Sequence, residues 1–292
     1  MESTLLLLEQ VPALFITLCT LLGLLVGSFL NVLIFRLPEM MQHEWRSQCQ
    51  ALLNPEDKAP ADKPLNLFFP ASRCPHCEHK IRPWENIPLL SYLVLRGKCS
   101  SCAAAISIRY PIIELVTGLV TAVVAWHFGF SGQALAAMLL SWALIALTMI
   151  DFDHQLLPDS ITLPLLWLGL LLSLGELFVD SHASIIGAAA GYLSLWSVFW
   201  LFKLVTGKEG MGFGDFKLLA LLGAWMGWQM LPVIILLSSL VGAIVGITLI
   251  LLRGRDRNIP IPFGPYLAAA GWLALIWGTE INQTYLNLAG LN

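Results

Sequence analysis

Two sets of residues in this sequence have types and spacings that can do chemistry. Cys74-Pro-His-Cys77 and Cys99-Ser-Ser-Cys102 are CxxC pairs separated by 21 residues. Two such knuckles supply four thiolates for a tetrahedral Zn²⁺, a closed set with no open position for water, so the ion's role would be structural. A redox CxxC is the alternative for either pair, and His76 and His79 are alternative ligands. The second set is acidic. Asp151 ends one strongly apolar run in Met149-Ile-Asp-Phe-Asp-His154, and Asp215 begins another in Gly210-Met-Gly-Phe-Gly-Asp-Phe-Lys217. Carboxylates at membrane depth are costly and are usually kept for function.

Two carboxylates facing each other cannot both ionise easily, so they share a proton. The ionised member can take a proton from water while the protonated one donates to a carbonyl oxygen, which is aspartic-protease chemistry. Gly212 and Gly214 lack Cβ atoms and would let an extended backbone approach Asp215; Lys217 completes the motif. The plainer alternative is that each aspartate caps or solvates a helix end. Asp153 competes with Asp151 from a short loop, and Asp159, after Pro158 and before Ser160, reads as a helix N-cap. Glu114 belongs either beside the acidic site or in a partnership with Arg109. The glycines at 210–214 do not form a phosphate loop, because no strand precedes them and Gly-Lys-Ser/Thr is absent.

The elements that must position these groups are membrane helices. Of 292 residues, 57% are hydrophobic and 12% charged, with mean hydropathy +0.76, against about 25% charged in soluble domains. A soluble globule of this size cannot hide so much apolar surface, and a net charge of −3 gives no footprint for nucleic acid. Charge-free runs predict a retained first helix over 10–35 and two helices over 115–150 divided at His127-Phe-Gly-Phe-Ser-Gly132. Helices over about 160–178 and 183–203 follow, then two over 218–252 divided near Gly227–Pro232, and a last over about 260–280. The fold class is therefore an all-α polytopic membrane protein with about eight transmembrane helices and a small cytoplasmic zinc-binding domain between helices 1 and 2.

The basic residues test this count. With the N-terminus outside, all 16 Lys and Arg fall in the cytoplasmic segments 36–110, 203–217 and 253–259 and none on the opposite side, as the positive-inside rule requires. Lys58, Lys63, Arg253, Arg255 and Arg257 are among them. Helices then run inward to Asp151 and outward from Asp215, so both carboxylates lie at the cytoplasmic face and can meet. The domains are the first helix at 10–35, a cytoplasmic zinc-binding domain at 36–110, and a seven-helix membrane domain at 111–281. Pro55, Pro60, Pro64, Pro70, Pro75, Pro83 and Pro88 predict little long regular structure before residue 90. Reduced cytosolic thiols favour zinc over disulfides. Cys19, in the first span, reads as a small lipid- or helix-facing hydrophobe; Cys49 has no assigned role.

Gly212-Phe-Gly-Asp215 followed by Lys217 resembles the GxGD signature of membrane aspartyl proteases. Its company is narrower: Gly27-Ser-Phe-Leu-Asn-Val32, Cys74-Pro-His-Cys77, Asn86-Ile-Pro88, Leu95-Arg-Gly-Lys-Cys99, Arg109-Tyr-Pro-Ile-Ile-Glu114, Asp151-Phe-Asp-His-Gln-Leu-Leu-Pro-Asp159 and Ile261-Pro-Phe-Gly-Pro265. Together these resemble the bifunctional bacterial type IV prepilin leader peptidases over nearly the whole chain. The resemblance implies Asp151 and Asp215 as the catalytic pair and prepilins or pseudopilins with short basic leaders as substrates. It implies cleavage after a glycine at the cytoplasmic face of the inner membrane, then methylation of the new N-terminal residue with S-adenosylmethionine. No glycine loop behind a strand marks where the methyl donor binds; the resemblance puts it against the zinc-bearing domain. A large cytoplasmic domain favours the bifunctional form over peptidase-only relatives. Two other readings stand beside this one. The first is a presenilin-like or signal-peptide-peptidase-like enzyme cutting inside the bilayer, which the helix-end aspartates and the zinc knuckles oppose. The second is a transporter or zinc-domain scaffold, which would normally show internal repeats.

Overall fold

The computed structural model describes residues 7–53, 66–253 and 262–289, and the chain divides into two compact units, residues 1–130 and 131–292. Lys58, Lys63, Arg255, Arg257, Pro55, Pro60, Pro64 and Ile261, used above for topology and motifs, lie outside the described residues. Among the described residues the chain is helical, with isolated bridges at Arg73–Lys80 and Lys98–Ala105.

In the first unit, α1 (Pro12–Leu53), the short α2 (Leu90–Val94) and α3 (Arg109–Phe128) flank the cysteine-bearing segment. Helix α1 does not stop near residue 35 but runs through Pro38 to Leu53. This corrects the expectation of little regular structure before residue 90. Residues 39–53 contain neither Gly nor Pro and are mostly good helix formers, and the Gln48 amide donates to Glu44 one turn back at 3.2 Å. Gly23 and Gly27, four residues apart, let α3 approach α1 closely. A Cβ at Gly27 would lie 2.7 Å from the Glu114 Cα, so the small-xxx-small spacing is what permits this pairing.

The second unit contains α4 (Gly132–His154), α5 (Asp159–Ser173), α6 (Ser181–Thr206), α7 (Phe213–Met226), α8 (Leu231–Arg253) and α9 (Gly264–Ala289). Both divided runs break where expected. Gly129 (φ +60°) ends α3 and the Ser131 hydroxyl accepts the Ala134 N–H at 3.1 Å to start α4; Gly227 (φ +77°) ends α7. Among the described residues, five helices are long and apolar enough to cross a membrane: Pro12–Leu53, Arg109–Phe128, Gly132–His154, Ser181–Thr206 and Trp228–Leu249; Asp159–Ser173 is a shorter apolar helix.

Helix α7 is short because it is enclosed by protein. Phe216, Leu218, Leu219, Leu221, Leu222 and Trp225 are all buried. Its backbone meets α6 through Gly187, Gly191 and Gly223, and a Cβ at Gly191 would lie 2.6 Å from the Leu219 carbonyl. The Ser184 hydroxyl donates to the Ala224 carbonyl at 2.6 Å, and the Trp225 Nε1 donates to the Leu165 carbonyl of α5 at 2.8 Å. On the other side, the Trp272 indole of α9 donates to the Ser141 hydroxyl of α4 at 3.0 Å. These bonds satisfy polar groups that lipid could not and tie together the helices that carry the acidic residues.

Candidate active site and metal centre

Asp151 sits in the last turn of α4, which Gln155 ends in the left-handed conformation (φ +54°). Asp215 sits in the first turn of α7, whose N-cap is Gly212. Acidic residues are favourable there because unpaired backbone N–H groups point at them. The Gly212 N–H donates to the Asp215 carboxylate, and the Asp215 N–H donates to the Gly212 carbonyl at 3.2 Å. Each aspartate is only 6% exposed, and the two lie close enough for their charges to interact directly. No Lys, Arg or His partner for either appears among the described ion pairs.

The neighbouring motif residues divide into two kinds. At Gly212 an added Cβ would make only ordinary contacts, with the Asp215 Oδ2 at 3.9 Å and the Gly214 N at 4.0 Å. At Gly214 it would meet the Leu157 Cβ at 2.8 Å, so glycine is needed there for packing within the chain. Lys217 donates to both carboxylate oxygens of Asp159 at 2.7 Å. Asp159 is accordingly not the N-cap of α5. Pro158 holds that position and Asp159 is the first helical residue; its side chain turns away from the helix amides to a cation on α7. With Trp225 bonded near the other end of the same helix, α5 holds α7 at two points. Asp153 lies inside the last turn of α4 and is exposed.

Glu114 has its own partners within the first unit. In the first unit its Oε2 accepts the Leu89 N–H at 2.9 Å and its carboxylate meets the Ser28 hydroxyl. Beside them the Asn31 amide donates to the Gly27 and Tyr110 carbonyls at 3.3 and 3.2 Å. Leu89 has φ +60°, a conformation that needs external support in a branched residue, and Glu114 supplies it. Arg36 on α1 also holds the cysteine-bearing segment, donating to the Asn66 carbonyl at 2.9 Å and the Pro70 carbonyl at 2.6 Å.

The four cysteines converge as two copies of one turn. In each, the first cysteine accepts the N–H of the residue four places on through its carbonyl, at 2.9 Å for Cys74–Glu78 and 3.0 Å for Cys99–Ala103. That fourth residue has φ +56° or +57°, and a bridge closes each turn, Arg73–Lys80 and Lys98–Ala105. The N–H groups of His76 and Cys77 turn toward the Cys74 sulfur and hold its thiol down to about 7. Those of Cys102 and Ser101 likewise lower Cys99. The Ala104 N–H favours the Cys102 thiolate, but contacts with the Cys77, Cys99 and Cys74 sulfurs, together with burial, outweigh it and push that thiol up to about 12. All four sulfurs lie within 4.8 Å of one another. Cys74–Cys102 and Cys77–Cys99 are separated by 3.8 and 3.9 Å, close to the ~3.8 Å edge of a tetrahedron with metal–sulfur bonds of about 2.3 Å. The donor set therefore fits a tetrahedral, thiolate-binding cation. His79 is not in it: its Nε2 lies 3.4 Å from both the Glu85 Oε2 and the Ser100 Oγ, joining the two turns from outside. Cys19 is buried on α1 and Cys49 exposed on it.

Sequence reasoning missed two residues of the acidic site. Gly264, the first residue of α9, donates its N–H to the Asp151 Oδ2 at 3.0 Å. Leu157, in the turn between α4 and α5, fits between Gly214 and Gly264, its Cδ2 3.2 Å from where a Gly264 Cβ would stand. The available signal was the Pro262-Phe-Gly-Pro265 motif at a helix start, whose partner could not be read from spacing.

The fold is that of a helical protein with several helices long and apolar enough to cross a membrane, a buried pair of aspartates and a four-cysteine cluster. Residues 21–128 match the bacterial peptidase A24 N-terminal domain, and residues 138–247 match the type IV leader peptidase family. The chain is 60% identical to the prepilin leader peptidase/N-methyltransferase of Stutzerimonas stutzeri and 61% identical to that of Pseudomonas aeruginosa, over 96% of each chain in both cases. It is 57% identical to that of Aeromonas hydrophila over 94% of this chain and 95% of the relative. No solved structure matches. The chain belongs to the type IV leader peptidase family. It is an enzyme, a leader peptidase whose relatives carry an N-methyltransferase activity in the same chain.

Proposed function

We propose that this chain removes the basic leader from type IV prepilins and type II secretion pseudopilins by an aspartyl mechanism, then methylates the new N-terminus. The observation that carries this reading is the pair of dry carboxylates, Asp151 and Asp215, brought from two helix ends to within electrostatic reach. In the pair one carboxylate takes a proton from water as its oxygen attacks the scissile carbonyl, and the other gives its proton to the carbonyl oxygen. Collapse of the tetrahedral intermediate breaks the C–N bond, and the leaving amine takes up a proton. Gly212, which has no Cβ and where an added one would stand 3.9 Å from the Asp215 Oδ2, lets the extended substrate backbone approach that carboxylate. The new amine then attacks the methyl of S-adenosylmethionine, the second substrate, releasing S-adenosylhomocysteine and a proton.

All eight helices other than α2 cross the inner membrane in this reading, with the N-terminus periplasmic and both aspartates at the cytoplasmic face. The support is the confinement of all 16 Lys and Arg to one set of segments. A leader rich in positive charge is retained on that same side. Residues 36–110 form the cytoplasmic domain, and Cys74, Cys77, Cys99 and Cys102 hold a structural Zn²⁺. A cation there supplies the charge that lets four crowded thiols stand as thiolates.

The test is a cleavage assay with detergent-solubilised protein and a prepilin carrying its leader, read by size shift and by the new N-terminus. Wild type should cut after the leader glycine and transfer a labelled methyl group to the product, while Asp151→Asn and Asp215→Asn should each leave the prepilin intact. Cleavage near the wild-type rate by either variant removes that residue from the site. Failure of folded wild type to cut rejects the substrate assignment.

A further inference from the structure

The start of α9 contributes to the acidic site in a way that neither aspartate motif specifies. Four observations bear on it. Asp151 is 6% exposed, so bulk water does not orient its carboxylate. The Gly264 N–H donates to its Oδ2 at 3.0 Å, linking positions 113 residues apart, and such bonds to a carboxylate are among the stronger ones. A Cβ at position 264 would lie 2.6 Å from Oδ2 and 3.1 Å from the Asp151 Cγ, with Leu157 closing the space at 3.2 Å; any side chain there displaces the carboxylate. Finally, the N–H groups that follow Gly264 in the first turn are absent or bonded elsewhere. Pro262 and Pro265 have no N–H, and the Tyr266 and Leu267 N–H groups both go to the Phe263 carbonyl at 3.1 Å. Within α9 it is the Gly264 N–H that reaches Asp151, and proline in the first turn costs the helix nothing.

We propose that Gly264 is a positioning residue for Asp151, its N–H fixing Oδ2 so that the other carboxylate oxygen is the one available to the attacking water. The role rests on the aspartate-pair reading above. It explains why a glycine begins α9: the missing Cβ makes room for the carboxylate, and the proline that follows adds no N–H to compete for it.

The experiment compares Gly264→Ala with Gly271→Ala, Asp151→Asn and Asp151→Ala in the full-length, detergent-solubilised enzyme. Gly271 lies on the same helix, but a Cβ there would press on the Leu222 side chain at 2.6 Å, so it reports packing damage alone. Gly264→Ala should lower kcat for prepilin cleavage about 100-fold with KM within about threefold of wild type, since a displacement near 1 Å can cost that much. Gly271→Ala should lower the melting temperature and retain kcat. Equal kcat in the two glycine variants, or a loss in Gly264→Ala carried by KM, overturns the positioning role while leaving the pair intact. Full cleavage by Asp151→Asn would overturn the pair itself, and the proposal with it. Hydrogen exchange gives a readout that does not depend on the glycine variant folding. Asp151→Ala should speed exchange of the Gly264 amide roughly tenfold or more and Asp215→Ala should not; unchanged exchange in Asp151→Ala overturns the proposal.

Discussion

In the cysteine module, four groups gather through two turns of the same local design. Each turn is complete within eight residues and is closed by its own bridge, Arg73–Lys80 or Lys98–Ala105. In the acidic site, two groups gather through three helix ends that no local sequence relates: the end of α4, the start of α7 and the start of α9. The module lies mostly exposed, with Cys77 and Cys102 open to solvent, whereas both aspartates are almost dry. Crowded thiols in water need a cation to hold them together. Crowded carboxylates in a dry site need the packing of whole helices. The first arrangement is therefore sensitive to removal of an ion, and the second to small changes in helix packing at places distant in sequence.

That contrast can be broken experimentally, and the largest expected effect is at the cysteines. Cys74→Ser, or treatment with a strong chelator, should abolish stoichiometric zinc and unfold the turns around it, because structural zinc sites contribute on the order of 10 kcal/mol to small domains. Limited proteolysis between residues 66 and 108 should rise sharply while the helices after residue 131 stay protected. Full zinc content in Cys74→Ser would reject the four-cysteine centre, and equal loss of protection in both regions would reject the independence drawn here.

A middle-sized effect is expected at Glu114, which joins the module to its own helix pair. Glu114→Ala leaves the part-buried Leu89 N–H without its acceptor and should destabilise the first unit by about 1 kcal/mol. Thermal unfolding followed by protection of residues 86–98 would register it; wild-type stability there would mean that the strained turn at Leu89 holds itself.

The smallest effect is expected at Lys217. Its pair with Asp159 has side chains 30% and 52% exposed, so Lys217→Ala should cost about 1 kcal/mol or less in stability and only a few-fold in cleavage rate. A loss approaching that of the aspartate variants would move Lys217 from supporting α7 to acting on the substrate.

These differences also explain what the sequence revealed. The cysteine cluster was legible because its residues and their spacing are local. Helix breaks at Gly129 and Gly227 were legible because positive φ favours glycine there. The extension of α1 to Leu53 was not, because the charge of residues 36–53 hid their helix propensity behind the end of the apolar run. Asp159 resembled an N-cap by type and place, yet a cation from a helix far along the chain took its carboxylate. Gly264 was unreadable for the same reason: the Asp151 carboxylate that requires it is brought there only by tertiary packing.

The central claim is that Asp151 and Asp215 act as one site, and a double-variant comparison tests it most directly. Initial rates of prepilin cleavage would be measured for wild type, Asp151→Asn, Asp215→Asn and the variant carrying both changes. Residues that act as a unit are strongly non-additive. The predicted result is a loss of roughly a thousandfold or more in each single variant, with no further loss in the double. Two partial losses that multiply in the double variant would contradict the account, because they would mean that the two carboxylates contribute independently.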